Sequence, residues 1–533
     1  MSIECDVLVV GAGPAGLAAA IAVLRKAKAA KKSCDAVERP SVIVLDKGRS
    51  PGSHVLSGAV IDPRGFELLL SEDEIRRLPV ESHVTRESFR FLFGEGSSMK
   101  IPWVPPMMQQ KGYPIASLSK IASSLAETAK REGAELYTGY AVTELIEEDG
   151  RIVGAKTGEK GVAKDGSRKE NYLPGEEIRA KVTILAEGAA GILTDRLIAE
   201  KGLEGARPQS YAVGIKELIE VPAKGGSAGE IMHTFGYPVG MGTYGGGFVY
   251  HLSDTQVMVG YALGLDARDP SLDIHALFRR FKAQAQVARH IEGGKSVAYG
   301  AKVIPEGGFY ALPKPYFPGC LIVGDGAGLV DGLRIKGVHL AIESALAAAD
   351  AIMAGDLESY PRRLASTKGY AEVKRVRNVH GGFSYCAPVG VAMAGLAWAT
   401  FGKFPFWRVG GKHLDSERTR KLSGAVRRDP LPPVAPNSPD RLTDVFMSGT
   451  IHEEDQPCHL KIRNPAKCDE CERLYGSPCT RFCAAEVYRR EEGDLKIDFS
   501  NCLHCKTCRI KCPMGNVDWT FPQGGDGPRY TRM

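Results

Sequence analysis

Eight of the thirteen cysteines in this 533-residue chain fall between Cys468 and Cys512, and their spacing is that of metal ligands rather than of disulfides. The run Cys502-x2-Cys505-x2-Cys508-x3-Cys512-Pro513 has the form in which three thiolates hold one iron-sulfur cube and the fourth serves another. A second group is therefore required, and Cys468-x2-Cys471-x7-Cys479-x3-Cys483 supplies it. Crossing the fourth ligands gives two complete sets: Cys502, Cys505 and Cys508 with Cys483, and Cys468, Cys471 and Cys479 with Cys512. Structural zinc also uses C-x2-C pairs, but it has no need of a C-x2-C-x2-C triple closed by Cys-Pro. One-electron chemistry at iron-sulfur cubes is the expectation. Cys5, Cys34, Cys320, Cys386 and Cys458 have no partner spacing and read as ordinary packed or surface thiols.

A different chemistry is written at the start of the chain. Cys5-Asp-Val-Leu-Val-Val10 has strand character and is followed at once by Gly11-Ala-Gly13-Pro14-Ala15-Gly16 and a helix-forming stretch from Leu17 to Ala30. Glycines at this spacing permit the tight turn, the approach of backbone to a pyrophosphate and close packing of helix on strand, with the phosphates at the helix N-terminus. A lone G-x-G-x-x-G is weak evidence. It is strengthened by a second strand, Ser41 to Leu45, which ends in Asp46, the acidic residue expected to accept hydrogen bonds from ribose hydroxyls, with Lys47 beside it. The separation exceeds the usual spacing of about 20 residues, and the polar insertion Lys31 to Pro40 takes up the excess.

Two later strands choose between the dinucleotides. Val182 to Ala186 ends in Glu187-Gly188, and Cys320 to Val323 ends in Gly324-Asp325-Gly326-Ala327-Gly328. Both turns resemble those of the glutathione-reductase-type FAD proteins, in which the Asp bonds the ribityl chain. Arg334-Ile-Lys-Gly337-Val-His339 then opens a helix from Leu340 to Ala351, whose positive end would suit the pyrimidine side of a reduced flavin. His54-Val-Leu-Ser57-Gly58-Ala59 resembles the segment near the flavin ring in such proteins.

For these pieces to meet, the chain must adopt an α/β fold of about three domains. The expectation is a glutathione-reductase-type FAD domain built from residues 1–84, 179–209 and 313–380, interrupted by an inserted α+β domain made of 85–178 and 210–312. A membrane-surface segment follows at 381–429, then a stiff proline-rich linker at 430–440 and a ferredoxin-like iron-sulfur domain at 441–533. With 43% hydrophobic and 25% charged residues, neither disorder nor a polytopic membrane protein is suggested. A net charge of +6 is small for this length, and with no aromatic-basic motif it excludes nucleic acid as a partner. Metal-spaced cysteines, and a strand beginning at Ile3 with no export signal before it, imply an intracellular reducing compartment.

Two apolar stretches and one glycine triple stand apart. Ile101-Pro-Trp103-Val-Pro-Pro-Met107-Met108 is too short and too rich in Pro for a core helix or a membrane span, and reads as an interfacial or a domain-packing loop. Gly381 to Gly402 is uncharged and long enough to span. Spanning would separate the nucleotide pieces from the cysteines, and both flanks are basic, with Lys374, Arg375 and Arg377 before and Lys403, Arg408 and Lys412 among those after. The segment therefore reads as a monotopic anchor entering one leaflet from the cytoplasmic face, with a buried core helix as the alternative. Gly245-Gly246-Gly247, flanked by Tyr244 and Phe248, would let backbone approach a flat ligand, or could mark a bulged strand.

Taken together these motifs resemble the electron transfer flavoprotein:quinone oxidoreductase family along nearly the whole chain. The matches are Gly13-Pro-Ala-Gly16, Leu56-Ser-Gly-Ala59, Tyr244-Gly-Gly246 with Tyr250-His251, Glu292-Gly-Gly-Lys295, Gly307-Gly308 and Arg334-Ile-Lys-Gly337. In the tail they are Ser448-Gly-Thr450, His452-Glu453, Asp455-Gln-Pro457, Arg481-Phe-Cys483, Val487-Tyr488 and Asn501 to Cys508. The resemblance implies FAD at the residues named above, one [4Fe-4S] cluster on Cys483, Cys502, Cys505 and Cys508, and quinone-ring contact from backbone around Gly245 and Gly246. It implies electron transfer flavoprotein as donor, a membrane quinone (ubiquinone or menaquinone) as acceptor, and a monotopic place on the inner or cell membrane. The sequence departs from the family at Cys512, where a carboxylate is usual, and at Cys468, Cys471 and Cys479, where the family ordinarily has no cysteine. Four thiolates gained together at ferredoxin spacing are best explained by a second cluster. No side chain is singled out as catalytic acid or base, since the cofactors carry the chemistry; solvent, His251 or another group supplies the quinol protons. The competing readings are a ferredoxin-linked FAD reductase of prenyl double bonds, which has no use for two clusters, and a membrane-surface scaffold with a zinc-holding tail.

Overall fold

The computed structural model describes residues 3–33, 38–223, 225–422 and 438–533. Cys34 and most of the expected linker, up to residue 437, lie outside them. The N-terminal apolar run forms β1 (Ile3–Val10), the glycine loop turns the chain into α1 (Pro14–Ser33), and β2 (Val42–Asp46) returns parallel to β1. A third strand, β3 (Glu177–Leu185), pairs parallel with the other edge of β1. Val10 thus faces Leu45 on one side and Leu185 on the other, so three strands end together beneath the glycine loop. That is where open parallel sheets bind nucleotides. Glu187 leads into α2 (Ile192–Lys201). The sheet is buried on both faces, which is why its strands read as continuous apolar runs; Val7, Leu8, Val9, Leu17, Ala18 and Ile21 are almost wholly inaccessible.

This sheet takes in more of the chain than the sequence suggested. Glu135–Thr138 pairs parallel with β2, the Leu118–Arg131 helix buries Ile121, Ala122, Leu125 and Ala126 in the same core, and Arg151–Thr157 pairs with β3. Of the interval 85–178, only its first part joins the second sheet, so the first insertion is shorter than expected. The reason is topological: a parallel strand beside β2 needs a helical crossover, and Leu118–Arg131 is that crossover.

The second sheet has seven strands in the order Lys295–Pro305, Tyr211–Glu220, Gln256–Gly264, β4 (Gly245–His251), Glu230–Gly236, Arg86–Leu92 and Ser98–Lys100. It is antiparallel except where Glu230–Gly236 meets Arg86–Leu92. β4 pairs with both neighbours without a register shift, so the glycine triple is not a bulge. The Ile274–Ala283 helix packs Phe278 and Phe281 onto this sheet, and Phe281 fills the space above Gly247 that a Cβ would need. β5 (Cys320–Ile322) then rejoins the first sheet beside β3, and α3 (Val338–Met353) lies against α1.

The uncharged segment 381–402 is two helices, α4 (Val379–Phe383) and α5 (Ala387–Ala399). Pro388 lies in the first turn of α5, where its missing N–H costs nothing but could not continue a ladder from α4, so a new helix starts there. At 13 residues α5 is about 20 Å long, and no helix among the described residues is long and apolar enough to cross a membrane. A core helix is ruled out as well, because Val391 is 53% and Trp398 47% exposed.

The tail contributes α6 (Pro465–Tyr475), α7 (Cys479–Phe482) and α8 (Thr507–Lys511), with small two-stranded sheets at Leu460–Ile462/Val517–Trp519 and Tyr488–Glu491/Asp494–Ile497. It shares one core with the second sheet, in which Ala484, Ala485 and Leu503 meet Tyr299 and Val303. The Tyr299 hydroxyl donates to Ala484 O at 2.8 Å. The last residues are coil but firmly tied: Gly525 N donates to Lys47 O (2.7 Å), Tyr530 N to Ser53 O (2.9 Å), and Ser119 N to Met533 O (3.2 Å).

Candidate active site

A cavity of about 730 Å³ runs from the glycine loop to α5, a size typical of ligand sites. Gly11, Gly13, Ala15, Asp46, Lys47, Ser57, Gly58, Glu187, Gly188, Asp325, Gly337, Gly245 and Gly246 all line it. Gly16 and Gly324 stand behind the wall. A Cβ on Gly16 would overlap Gly11 O, and one on Gly324 would lie 2.8 Å from the Ala15 side chain, so both glycines set the packing rather than touch the space.

The residues fit a dinucleotide. Gly11 takes φ +113° and sits where a Cβ would overlap Ala186 O of the β3 end. A Cβ on Gly13, by contrast, would point into the cavity, with Val55 Cγ2 at 4.0 Å as its nearest neighbour. That is the cradle a pyrophosphate needs, at the N-terminus of a 20-residue helix. Asp46 accepts from Ala12 N (2.7 Å) and Gly48 N (2.6 Å), which fixes its carboxylate at the loop. The Glu187 side chain is engaged elsewhere: it accepts from Leu193 N (3.3 Å) and from both Thr194 N and Oγ1 (2.7 Å), capping α2, so its backbone is what faces the cavity.

Buried lysines that sequence spacing did not single out face the same space. Lys216, Lys302 and Lys506 line it alongside Lys47. Burial pushes Lys216 down to about 7 and Lys506 down to about 8. Burial also lowers Lys302, against the pull of Cys505, Asp325 and Asp46. One ammonium is thus within electrostatic reach of two nucleotide-loop carboxylates and a cluster thiol. Burial pushes Asp325 up to about 6, and Lys302 works against that. Lys506 was legible in principle, since a residue between Cys505 and Cys508 has to lie near whatever they hold; nothing in the sequence marked Lys302.

At the other end, β4 places Gly245 and Gly246 in the wall with Tyr244 and Glu306. Tyr244 donates to Glu306 Oε2 at 3.4 Å, and burial pushes the Glu306 carboxyl up to about 8. His251 is not in the wall; its Nε2 lies 2.9 Å from His290 Nδ1 in the interior. The mouth is apolar, with Ile101, Trp103 and Met107 from the first apolar loop and Ala387, Val391 and Trp398 from α5.

The eight thiols influence one another mainly within two groups, with Cys479 and Cys483 also coupled across them. Cys483, Cys502 and Cys508 each act electrostatically on or with Cys505, whereas Cys468, Cys471 and Cys479 each feel Cys512. Burial pushes up Cys468, Cys471, Cys479, Cys483, Cys502 and Cys508, to about 11 at Cys483 and about 12 at Cys471, so a positive metal centre would be needed to hold such sulfurs as thiolates. Hydrogen-bond donors face the sulfurs: His504 N is 3.4 Å from Cys502 Sγ, and Asn516 N is 3.4 Å from Cys512 Sγ. Trp519 and Phe521 of the tail also line the cavity.

Comparisons with known proteins follow the same division. The family model described as "Electron transfer flavoprotein-ubiquinone oxidoreductase, 4Fe-4S" matches residues 437–531, "ETF-QO, ubiquinone-binding" matches 211–304, and "FAD binding domain" matches 4–226. The mitochondrial electron transfer flavoprotein-ubiquinone oxidoreductase of Oryza sativa subsp. japonica is 38% identical over 99% of this chain and 93% of its own length. The Pseudomonas aeruginosa protein of that name is 37% identical over 99% of both chains, and the Homo sapiens mitochondrial one 36% identical over 99% of this chain and 89% of its own. Among solved structures, a geranylgeranyl bacteriochlorophyll reductase-like protein from Thermoplasma acidophilum superposes with a TM-score of 0.54 at 17% identity, covering 78% of this chain and 94% of that one. The flavin-dependent brominase Bmp2 gives 0.51 at 16%, covering 75% and 94%. At such identities these two likenesses concern the α/β FAD fold alone. Full-length identity, the three matching models and the joining of nucleotide loop to cysteine tail around one cavity agree: the chain belongs to the electron transfer flavoprotein-ubiquinone oxidoreductase family.

Proposed function

We propose that this chain performs its family's reaction, passing electrons from reduced electron transfer flavoprotein to ubiquinone, along the line from the cysteine tail through the cavity to its apolar mouth. It is an oxidoreductase that binds FAD, carries a [4Fe-4S] domain and acts on quinone. The observation that carries the path is geometric: Lys506, Trp519 and Phe521 of the cysteine tail line the same cavity as Gly13, Asp325 and Gly245. FAD, when bound, converts single electrons into the pair that quinone needs. Gly11, Gly13 and Ala15 cradle its pyrophosphate, and Asp46 with Lys47 takes the ribose. Ser57, Gly58, Gly188, Asp325 and Gly337 hold the ribityl chain and ring, with Glu187 fixing α2 behind them. Cys483, Cys502, Cys505 and Cys508 ligate the cluster next to it, and Cys468, Cys471, Cys479 and Cys512 ligate a second.

Gly245 and Gly246 receive the quinone ring, which enters between Trp103 and Trp398. Glu306 donates the proton to it, because its carboxyl is protonated below about 8 and lies in the same wall. Beyond the mouth stand Phe401, Phe404, Phe406 and Trp407, exposed together, with Lys403 and Arg408 also exposed nearby. Such an apolar patch edged with cations suits a monotopic seat in one leaflet with anionic headgroups at its rim. On this reading the protein sits on the cytoplasmic face of the membrane and draws ubiquinone or menaquinone from the bilayer.

Steady-state quinone reduction by reduced electron transfer flavoprotein tests the assignment. Activity is expected to fall as pH rises through about 8, and Glu306→Gln is expected to remove that limb while lowering kcat about 100-fold or more. An unaltered pH profile in the variant would dismiss Glu306 as the donor. Flotation with phosphatidylglycerol vesicles addresses the seat, where Trp398→Asp combined with Phe406→Asp should abolish binding.

A further inference from the structure

Helices α7 and α8 each carry a ligand of both cysteine sets, four residues apart: Cys479 and Cys483 bracket α7, while Cys508 lies in α8 and Cys512 closes it. Four residues rise about 6 Å along a helix, so the two sets lie side by side. Cys479 already feels Cys483 electrostatically.

The sets differ in depth. Cys483, Cys502, Cys505 and Cys508 are all buried, and Lys506, between two of them, lines the flavin cavity. In the other set Cys471 and Cys512 are buried as well, but Cys468 and Cys479 are partly exposed. Helix α6, which carries Cys468 and Cys471, turns Lys467, Asp469, Glu470, Glu472 and Arg473 to solvent. The outer set thus borders the exposed face of α6, while the link to the flavin cavity runs through Lys506 of the inner set. Asn516 ties the outer set together, its Nδ2 lying 3.2 Å from Cys468 Sγ and its backbone N 3.4 Å from Cys512 Sγ.

We infer that the Cys468, Cys471, Cys479 and Cys512 site is the port at which electrons enter, with reduced electron transfer flavoprotein docking over α6. This rests on the reading that the outer set holds a second [4Fe-4S] cluster. Order then follows from depth: donor, outer cluster, inner cluster, flavin, quinone. Each passage takes one electron from the donor flavin and oxidises it by one; each cluster is reduced by one electron and returned to its starting state. Two passages deliver two electrons, and with two protons from the cavity side the quinone becomes quinol. No covalent bond to the donor forms or breaks.

The experiment separates the two ideas. Anaerobically purified full-length protein is reduced, and its iron, flavin and EPR spins are counted. About eight irons per flavin and two magnetically interacting spins are expected; about four irons per flavin, or zinc in the outer site, overturns the two-cluster reading itself. Given two clusters, a dysprosium chelate in solution should hasten the relaxation of one signal strongly and of the other little. Equal effects on both would overturn the port while leaving the clusters in place. In Cys471→Ser with the inner signal and flavin absorbance retained, flavin reduction by the donor protein should fall at least tenfold relative to flavin reduction by quinol. An unchanged ratio would also overturn the port, and should the variant fail to fold, the relaxation measurement on the unaltered protein decides.

Discussion

Two glycines of the nucleotide loop answer to different constraints. Gly11 has a left-handed φ of +113° and its missing Cβ faces the backbone of β3, whereas the missing Cβ of Gly13 faces the cavity. Gly11→Ala is therefore expected to destabilise the fold itself, by about 1 to 3 kcal/mol, seen as a lower melting temperature even without flavin. Gly13→Ala should leave the melting temperature of the apoprotein unchanged and weaken FAD binding at least tenfold, read by flavin absorbance after gel filtration. Loss of apoprotein stability in Gly13→Ala would remove the distinction. The motif G-x-G-x-x-G was legible from spacing because each glycine serves a fixed part of one turn. Glu306 and Lys302 were not, since a lone charged residue in a strand or just past its end carries no sign of the cavity it will face until the sheet is assembled.

At the level of elements, an ion-pair knot holds the loop before α3. Asp62 Oδ2 accepts from Arg64 Nη2 (2.6 Å) and Arg334 Nη2 (2.8 Å), and Glu372 accepts from Arg64 Nη1 (2.5 Å) and Arg334 Nη1 (3.1 Å). This knot fixes Arg334, which with Gly337 lines the cavity. Burial works to raise Glu372, but hydrogen bonds from His339 and Arg64 bring it down to about 2; Asp62 is lowered further still, burial again outweighed by its guanidinium partners. Both carboxylates are held below their ordinary range of about 4, so their stabilisation is complete above that range and is lost as pH falls toward 2. Asp62→Ala leaves two guanidiniums without their buried partner and should cost about 3 kcal/mol. It should also flatten the acid limb of a stability-pH curve measured by urea unfolding. A full acid limb in the variant would show that the knot is not its source. Elements with a motif at their ends were found from sequence: β1, β2, β3, β5 and α3 all lie within a few residues of expectation. Leu118–Arg131 and Glu135–Thr138 were placed in the wrong body, because an amphipathic helix and a short strand look the same on either sheet. Only the pairing of Leu45 with Tyr137 decides it.

For the molecule as a whole, the tail is a wall of the flavin cavity and not an appendage. Trp519, Phe521 and Lys506 face that space, and Gly525 and Tyr530 bond the loop that follows β2. Removing the tail's [4Fe-4S] cluster should therefore loosen FAD as well as stop electron flow. Cys502→Ala is expected to lose the cluster and to retain well under half of its flavin through purification, measured by the ratio of absorbance at the flavin band to protein. Full flavin retention in a cluster-free variant would show that the wall stands without its metal. The three-part division of the chain could be read from where the motifs fall, but this interlocking could not, since the coil after Trp519 has no periodicity to announce what it covers.

Residues lining one compartment are drawn from nearly opposite ends of the polypeptide, Gly11 and Phe521. Any break in the chain ahead of Phe521 would therefore breach the chamber even with the whole glycine loop intact.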